Sequence, residues 1–230
     1  MDLTISTTLE HLTLVTWLVP EARLRGLLPA GLAPSVVPSP GGPLGMFSLA
    51  VMVERGMAFR LAPWLGLTFP QLNERAYVTL ADGSGAGVYF WRSQVASRSY
   101  ALPRYGLGLP YERAQLSLEV SDERRILSRD GTPVLDVEVG ASQPAPEGVD
   151  LDRVREVTGN PMVGYSLLRG RRLAAFPVEH PPIAFQEARV RAVDPRGMVA
   201  EGALEPGQAP AVAVYAASSE FVIHLPPRRV

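Results

Sequence analysis

The chain has 230 residues, a net charge of −1, 47% hydrophobic and 20% charged residues, and no cysteine. A near-neutral balance lacks the basic footprint that nucleic acid or an anionic membrane surface requires. Without cysteine, disulfides, thiolate zinc sites and cysteine nucleophiles are excluded.

The opening Met1-Asp2-Leu3-Thr4 has neither the basic region nor the apolar run of a signal peptide. No run of about 18 apolar residues is present to span a bilayer, so the expectation is a soluble, cytoplasmic protein. Leu12–Trp17, β-branched and apolar, reads as a strand. Val19-Pro20-Glu21 opens a short helix, with proline in the first turn and Glu21 at the positive end of the helix dipole. Leu24, Leu27 and Leu28 fall at helical spacing, and Pro29-Ala30-Gly31 ends the element. Val36–Gly45, with three prolines and three glycines, reads as a loop, and Met46–Val53 as the next strand.

Pro63–Pro70 is expected to be a loop over a pocket. Ala76–Leu80 and Val88–Arg92 are strands, joined as a hairpin through Ala81-Asp82-Gly83-Ser84-Gly85. Further strands are predicted at Ala114–Val120, Arg125–Ser128 and Val134–Val139. A helix over Leu151–Val157 is capped by Asp150. The remainder returns to strands at Arg172–Phe176, Ala184–Val193, Met198–Leu204 and Val212–Leu225, with a turn at Asp194–Gly197. About ten strands and two or three short helices give a mainly β chain, an antiparallel barrel forming one domain.

Several familiar signatures fail. Gly83–Gly87 is glycine-rich but opens no helix, so it is a turn and not a phosphate cradle. Gly164-Tyr165-Ser166 lacks the glycine that completes a nucleophile elbow. His11, His180 and His224 have no metal-ligand spacing, and Glu179-His180 is the nearest approach to a metal or proton-transfer pair. No metal and no cofactor is expected.

Polar and aromatic residues concentrate in two segments that should be buried. One is Leu72-Asn73-Glu74-Arg75-Ala76-Tyr77-Val78 with Gly87-Val88-Tyr89-Phe90-Trp91-Arg92. Strand alternation there puts Asn73, Arg75 and Tyr77 on one face, and Glu74, Ala76 and Val78 on the other. The second runs from Ser97-Arg98-Ser99 through Leu102-Pro103-Arg104-Tyr105-Gly106 to Leu109-Pro110-Tyr111.

These segments resemble the acetoacetate decarboxylase-like superfamily, most closely an uncharacterised bacterial branch of it. The resemblance implies a cone-shaped antiparallel barrel. In the decarboxylases, a Gly-Arg-Glu stretch precedes Tyr-Pro-Lys-Lys and a glycine, and the first lysine of the pair forms the Schiff base. Here Ser97-Arg98-Ser99 and Leu102-Pro103-Arg104-Tyr105-Gly106 match those positions, which puts Arg104 where the nucleophilic lysine belongs. All 22 basic residues of this chain are arginine. Arginine stays protonated and cannot replace that amine.

The same resemblance places Glu74 at a pocket glutamate and Ser48 at a second one, while Glu10 stands where the family has an arginine. It implies Arg104 and Glu74 as the catalytic or binding charges of one pocket. Arg98, Tyr89, Tyr105, Tyr111 and Ser48 complete the ligand-binding set. The expected ligand is a small organic acid or ketone, held without Schiff-base chemistry. The alternative is a non-covalent lyase, hydratase or isomerase, with Arg104 stabilising an oxyanion or carboxylate and Glu74 as acid or base. Assembly into a homo-oligomer stays open.

Overall fold

The computed structural model describes residues 3–144, 146–169 and 172–230. In chain order the elements are β1 (Leu3–Pro20), α1 (Glu21–Leu27), β2 (Leu32–Pro34), β3 (Val36–Val37), β4 (Leu44–Phe59), β5 (Leu67–Leu80) and β6 (Gly87–Val95). A 3-10 turn (Arg98–Tyr100) and a π-helical turn (Leu102–Leu107) lead to β7 (Tyr111–Arg113). Then come β8 (Leu116–Val120), β9 (Arg124–Arg129), β10 (Thr132–Val139), α2 (Leu151–Gly159), β11 (Val163–Leu168) and β12 (Arg172–Glu179). The chain ends with β13 (Gln186–Val193), α3 (Arg196–Ala200), β14 (Val212–Leu225) and β15 (Arg228–Arg229).

Seven strands close a ring. Their order is β12-β11-β6-β5-β4-β1-β14, and β14 returns to β12 through Val178↔Ile223 and Glu179↔Val222. Neighbours in the ring run antiparallel except β6 and β11, which pair in parallel at Gly164↔Val88 and Tyr165↔Tyr89. Gly87 lies at this parallel joint. A Cβ there would come within 2.2 Å of the Val163 carbonyl oxygen, so a side chain would push the two strands apart.

The two faces of the ring bury different clusters. Leu49, Leu72, Ala76, Val78 and Trp17 pack against Leu127, Val134, Leu135 and Val137 of β9 and β10. A seven-strand ring is too narrow to hold a second sheet inside it, so the face that meets this second sheet is the outer one. Leu12, Leu14, Ala50, Met52, Tyr77, Val88 and Val214 form the other cluster, with Val154 of α2. That is the inner face, and α2 stops one end of it. Asp150 caps α2 by accepting from the Asp152 and Arg153 amides, both at 3.0 Å. The Tyr77 hydroxyl ties the far end of α2 down by donating to the Thr158 carbonyl at 3.2 Å.

Most predicted elements are present, usually longer than their apolar patterns. Met198–Leu204 is the exception in kind: it opens in α3 and turns, instead of forming a strand. Pro195 sits at the helix entry, and the Asp194 carboxylate accepts from the Arg196 amide at 3.1 Å, which are helix-start devices. Two predicted loops are also shorter than expected. Val36–Val37 pairs with β4, and β5 begins at Leu67, after a 3-10 turn at Pro63–Leu65. Strand β11, which contains the failed elbow sequence, was not among the predicted strands.

Candidate functional site

Period-two alternation aims a row of polar side chains inward. On β4, Ser48, Met52 and Glu54 stand opposite Arg75, Gln71 and Phe69 of β5. Across β5, Arg75 opposes Phe90 and Asn73 opposes Ser93. All of these polar groups are buried: Ser48 is 0% exposed, Ser93 1%, Gln71 and Asn73 3%, Glu54 6% and Arg75 8%. Burying such groups is costly unless each finds a partner. Some do. Thr7 Oγ1 donates to Glu54 at 2.6 Å, Gln71 Nε2 donates to Asn73 at 2.9 Å, and the Thr16 and Ser48 hydroxyls share a hydrogen at 2.7 Å.

Others do not. Seven enclosed side-chain atoms lack a partner among the described residues. Five of them lie on this inner face: Gln71 Oε1, Arg75 Nε, Ser93 Oγ, Ser166 Oγ and Ser219 Oγ. Ser219 is inner because it pairs with Leu9, and Ser166 because it shares its side of β11 with Gly164, which packs on Phe90. A native interior rarely strands so many polar atoms together unless something else meets them.

One end of this row reaches the surface through Tyr111. Strand β7 runs parallel to β6 and sets Tyr111 beside Ser93. As a residue Tyr111 is half-buried, but its hydroxyl end is enclosed. Burial pushes the phenol up to about 12, the negative charge of Glu54 adds to that, and a hydrogen bond from Gln71 opposes it. Glu54 itself is pushed up to about 7 by burial, against the opposing pull of the Thr7 hydrogen bond. A carboxyl that titrates near neutrality can both give and take a proton at physiological pH. A phenol that stays neutral is a reliable donor. On the outside of the same residue, Arg104 Nη1 donates to the Tyr111 carbonyl at 2.7 Å. The Arg104 guanidinium also lies 5.9 Å from the centre of the Tyr105 ring, and Tyr105 meets Tyr100 edge to face at 6.2 Å.

The seven sequence-predicted site residues fall in three places. Ser48 and Tyr111 face the interior. Arg98, Arg104 and Tyr105 are exposed on the turns between β6 and β7, with Tyr105 at 68%. Glu74 and Tyr89 lie on the outer face, where Tyr89 packs edge to face on Trp91. Glu74 points under the second sheet, 3.5 Å from Arg92, with Arg129, Asp194 and Met198 around it. That recess has room for about one water molecule, and Gly197 lies beside the carboxylate, where a Cβ would come within 2.8 Å of Glu74 Oε1. Burial raises the Glu74 carboxyl against the pull of Arg92 and Arg129. Arg104 and Glu74 are therefore not brought together. Alternation explains the split: Glu74 is one residue out of phase with the inward row of Asn73, Arg75 and Tyr77.

Glu54, Gln71 and Arg75 are the interior groups the sequence reading did not select. Arg75 and its face were legible from alternation. Glu54 was not, because it ends an almost unbroken apolar run from Met46. Among the described residues no group of three His, Asp or Glu is placed to hold a metal ion. Glu179 pairs with His224 at 2.8 Å, whereas His180 bonds the Pro181 carbonyl and stacks on Phe221. No helix among the described residues is long and apolar enough to cross a membrane.

Comparison with known proteins agrees with this architecture. The family DUF2071, described as "Uncharacterized conserved protein (COG2071)", matches residues 6–220. No curated protein sequence matches the chain. Among solved structures, the enduracididine biosynthesis enzyme MppR complexed with pyruvate is similar at a TM-score of 0.64 and 16% identity, over 100% of this chain and 90% of that one. An acetoacetate decarboxylase-like enzyme from Sphingomonas wittichii RW1 has a TM-score of 0.64 at 14% identity, over 99% and 92% of the two chains. Acetoacetate decarboxylase from Legionella pneumophila has 0.59 at 10% identity, over 98% and 86%. At these identities the likeness is one of fold.

Proposed function

Because this chain belongs to the DUF2071 family and has the acetoacetate decarboxylase-like fold, we propose that it binds a small carbonyl or carboxylic acid at the Tyr111 end of its barrel, without Schiff-base chemistry. The observation that carries this is the Arg104–Tyr111 link. An exposed cation is fixed to the backbone of a residue whose phenol ends inside the barrel, beside Glu54 and Gln71. An acid entering there meets a guanidinium for its carboxylate. Its carbonyl oxygen meets the neutral Tyr111 hydroxyl. With no lysine side chain in the chain, the site offers charge and hydrogen bonds where the decarboxylases offer an amine. MppR, a protein of like fold, has been solved with pyruvate bound, which supports a ligand of this class.

A thermal-shift panel of short organic acids, aromatic acids and ketones tests the reading. Saturable stabilisation by carbonyl acids is expected, weakened about tenfold or more by Tyr111→Phe and by Arg104→Ala, the loss of one charge-assisted or buried hydrogen bond each. If no acid or ketone stabilises the protein, or if both variants behave like the parent, the reading is wrong. The near-neutral titration of Glu54 favours a second reading, in which the bound acid is turned over by proton transfer as in a lyase, hydratase or isomerase. Consumption of the ligand during incubation selects that reading over simple binding.

A further inference from the structure

Arg75 poses a separate problem. It is 8% exposed on the inner face, and a guanidinium cannot escape burial by losing its proton. Yet no carboxylate pairs with it among the described residues. Its contacts are the Tyr77 hydroxyl, to which Nη2 donates at 3.0 Å, and the Tyr77 ring, 5.4 Å from the guanidinium carbon. Its Nε is enclosed and has no acceptor. The carbonyl end of α2 helps, through Tyr77 and Thr158, but the end of a short helix supplies only a partial charge.

The nearest inward carboxylate on these two strands is Glu54, and the register keeps it away. Arg75 stands opposite Ser48, six positions before Glu54 on β4, which is about 20 Å of extended strand. Arg75 also leans towards Tyr77, in the opposite direction. Directly across from Arg75, the Ser48 hydroxyl is linked to that of Thr16 at 2.7 Å. Two hydroxyls that share one hydrogen keep a second O–H free to donate. Arg75 Nε–H and that hydroxyl are thus unused donors beside a permanent positive charge, in surroundings of low dielectric.

We propose that Arg75, Ser48 and Thr16 form a second, interior binding site, for a small carboxylate. One cation compensates one negative charge, and two kinds of donor suit two carboxylate oxygens, as in the paired bonds that guanidinium groups make to carboxylates. The site is independent of Arg104 and Tyr111.

Formate, the smallest carboxylate, is the probe. In proton–nitrogen correlation spectra of the full chain, the Arg75 Nε–H resonance, assigned by its loss in Arg75→Lys, shifts saturably with formate. Apparent affinity by calorimetry falls tenfold or more in Arg75→Gln. Tyr111→Phe, which probes the other site, leaves formate binding in place. A resonance that stays fixed at saturating formate would overturn the proposal, and this readout needs only the parent protein to be folded. So would formate binding lost in Tyr111→Phe but kept in Arg75→Gln, which would assign formate to the rim. An equal, saturable shift with chloride would also overturn it, since the site would then select charge alone. Carbonyl-acid binding lost in Tyr111→Phe, with no formate effect on Arg75, would leave the rim site standing and remove only this one.

Discussion

Replacing Glu54 with glutamine is expected to remove about 3 kcal/mol of pH dependence from the stability of this protein. The Glu54 carboxyl is pushed from its ordinary 4.5 up to about 7 by burial. Below pH 4.5 both folded and unfolded chains hold its proton. Between 4.5 and 7 the folded chain keeps a proton that the unfolded chain has lost, so stability falls as pH rises through that window. Above 7 the cost is complete, and a difference of 2.5 pH units corresponds to about 3 kcal/mol. Glutamine stays neutral and can still accept from Thr7. Glu74 is also raised by burial and contributes with the same sign, but it is present in both proteins. The difference between their denaturation profiles from pH 4 to 8 therefore isolates Glu54. Profiles that superimpose would show that Glu54 is not buried as described.

Replacing Arg75 with methionine is expected to stabilise the free protein by about 1–4 kcal/mol, the range by which replacing buried ion pairs with apolar side chains of similar volume can stabilise a protein. Methionine follows the arginine stem into the space between Ser48 and Phe90 without bringing a charge. Tyr77 loses a donor, yet its own hydroxyl still donates to Thr158, so the change strands no new polar group. Urea denaturation at neutral pH in a carboxylate-free buffer measures the effect. A loss of stability would mean that the Tyr77 ring and the end of α2 already compensate the charge, leaving nothing for a ligand to do. A gain would mark Arg75 as a residue kept at a cost in stability, as binding groups often are.

The two positions differ in how far the sequence exposes them. Alternation across Asn73, Arg75 and Tyr77 is enough to put Arg75 on a face of its own, and the barrel then fixes that face as the inner one. The hairpin through Asp82-Gly83, the Asp150 cap and the long closing strand at Val212–Leu225 were equally legible, because each rests on local chemistry. The Asp82 carboxylate accepts from Ser84, and the strand ends where the pattern places it. What sequence could not supply was phase between segments. Whether Glu74 or its neighbour faces inward depends on how β5 pairs with β4 and β6, including a bulge between Glu74 and Arg75. A one-residue offset in such pairing exchanges the two faces. The resemblance to the decarboxylases brought the barrel and the loss of the amine into view, since position 104 and the absence of lysine are properties of the chain alone. It did not supply Glu54, whose only sign in the sequence is a charge at the end of an apolar strand. Nor did it set the exposure of Arg98, Arg104 and Tyr105, which follows from the short helical turns that carry them.

The most direct test of the proposed site is a crystal structure of the protein grown with a short 2-oxo acid. The expected result is an uncleaved, non-covalently bound acid, its carbonyl oxygen within hydrogen-bond distance of the Tyr111 hydroxyl and its carboxylate on Arg104. An acid seated in the recess beside Glu74, or attached covalently to the chain, would contradict it.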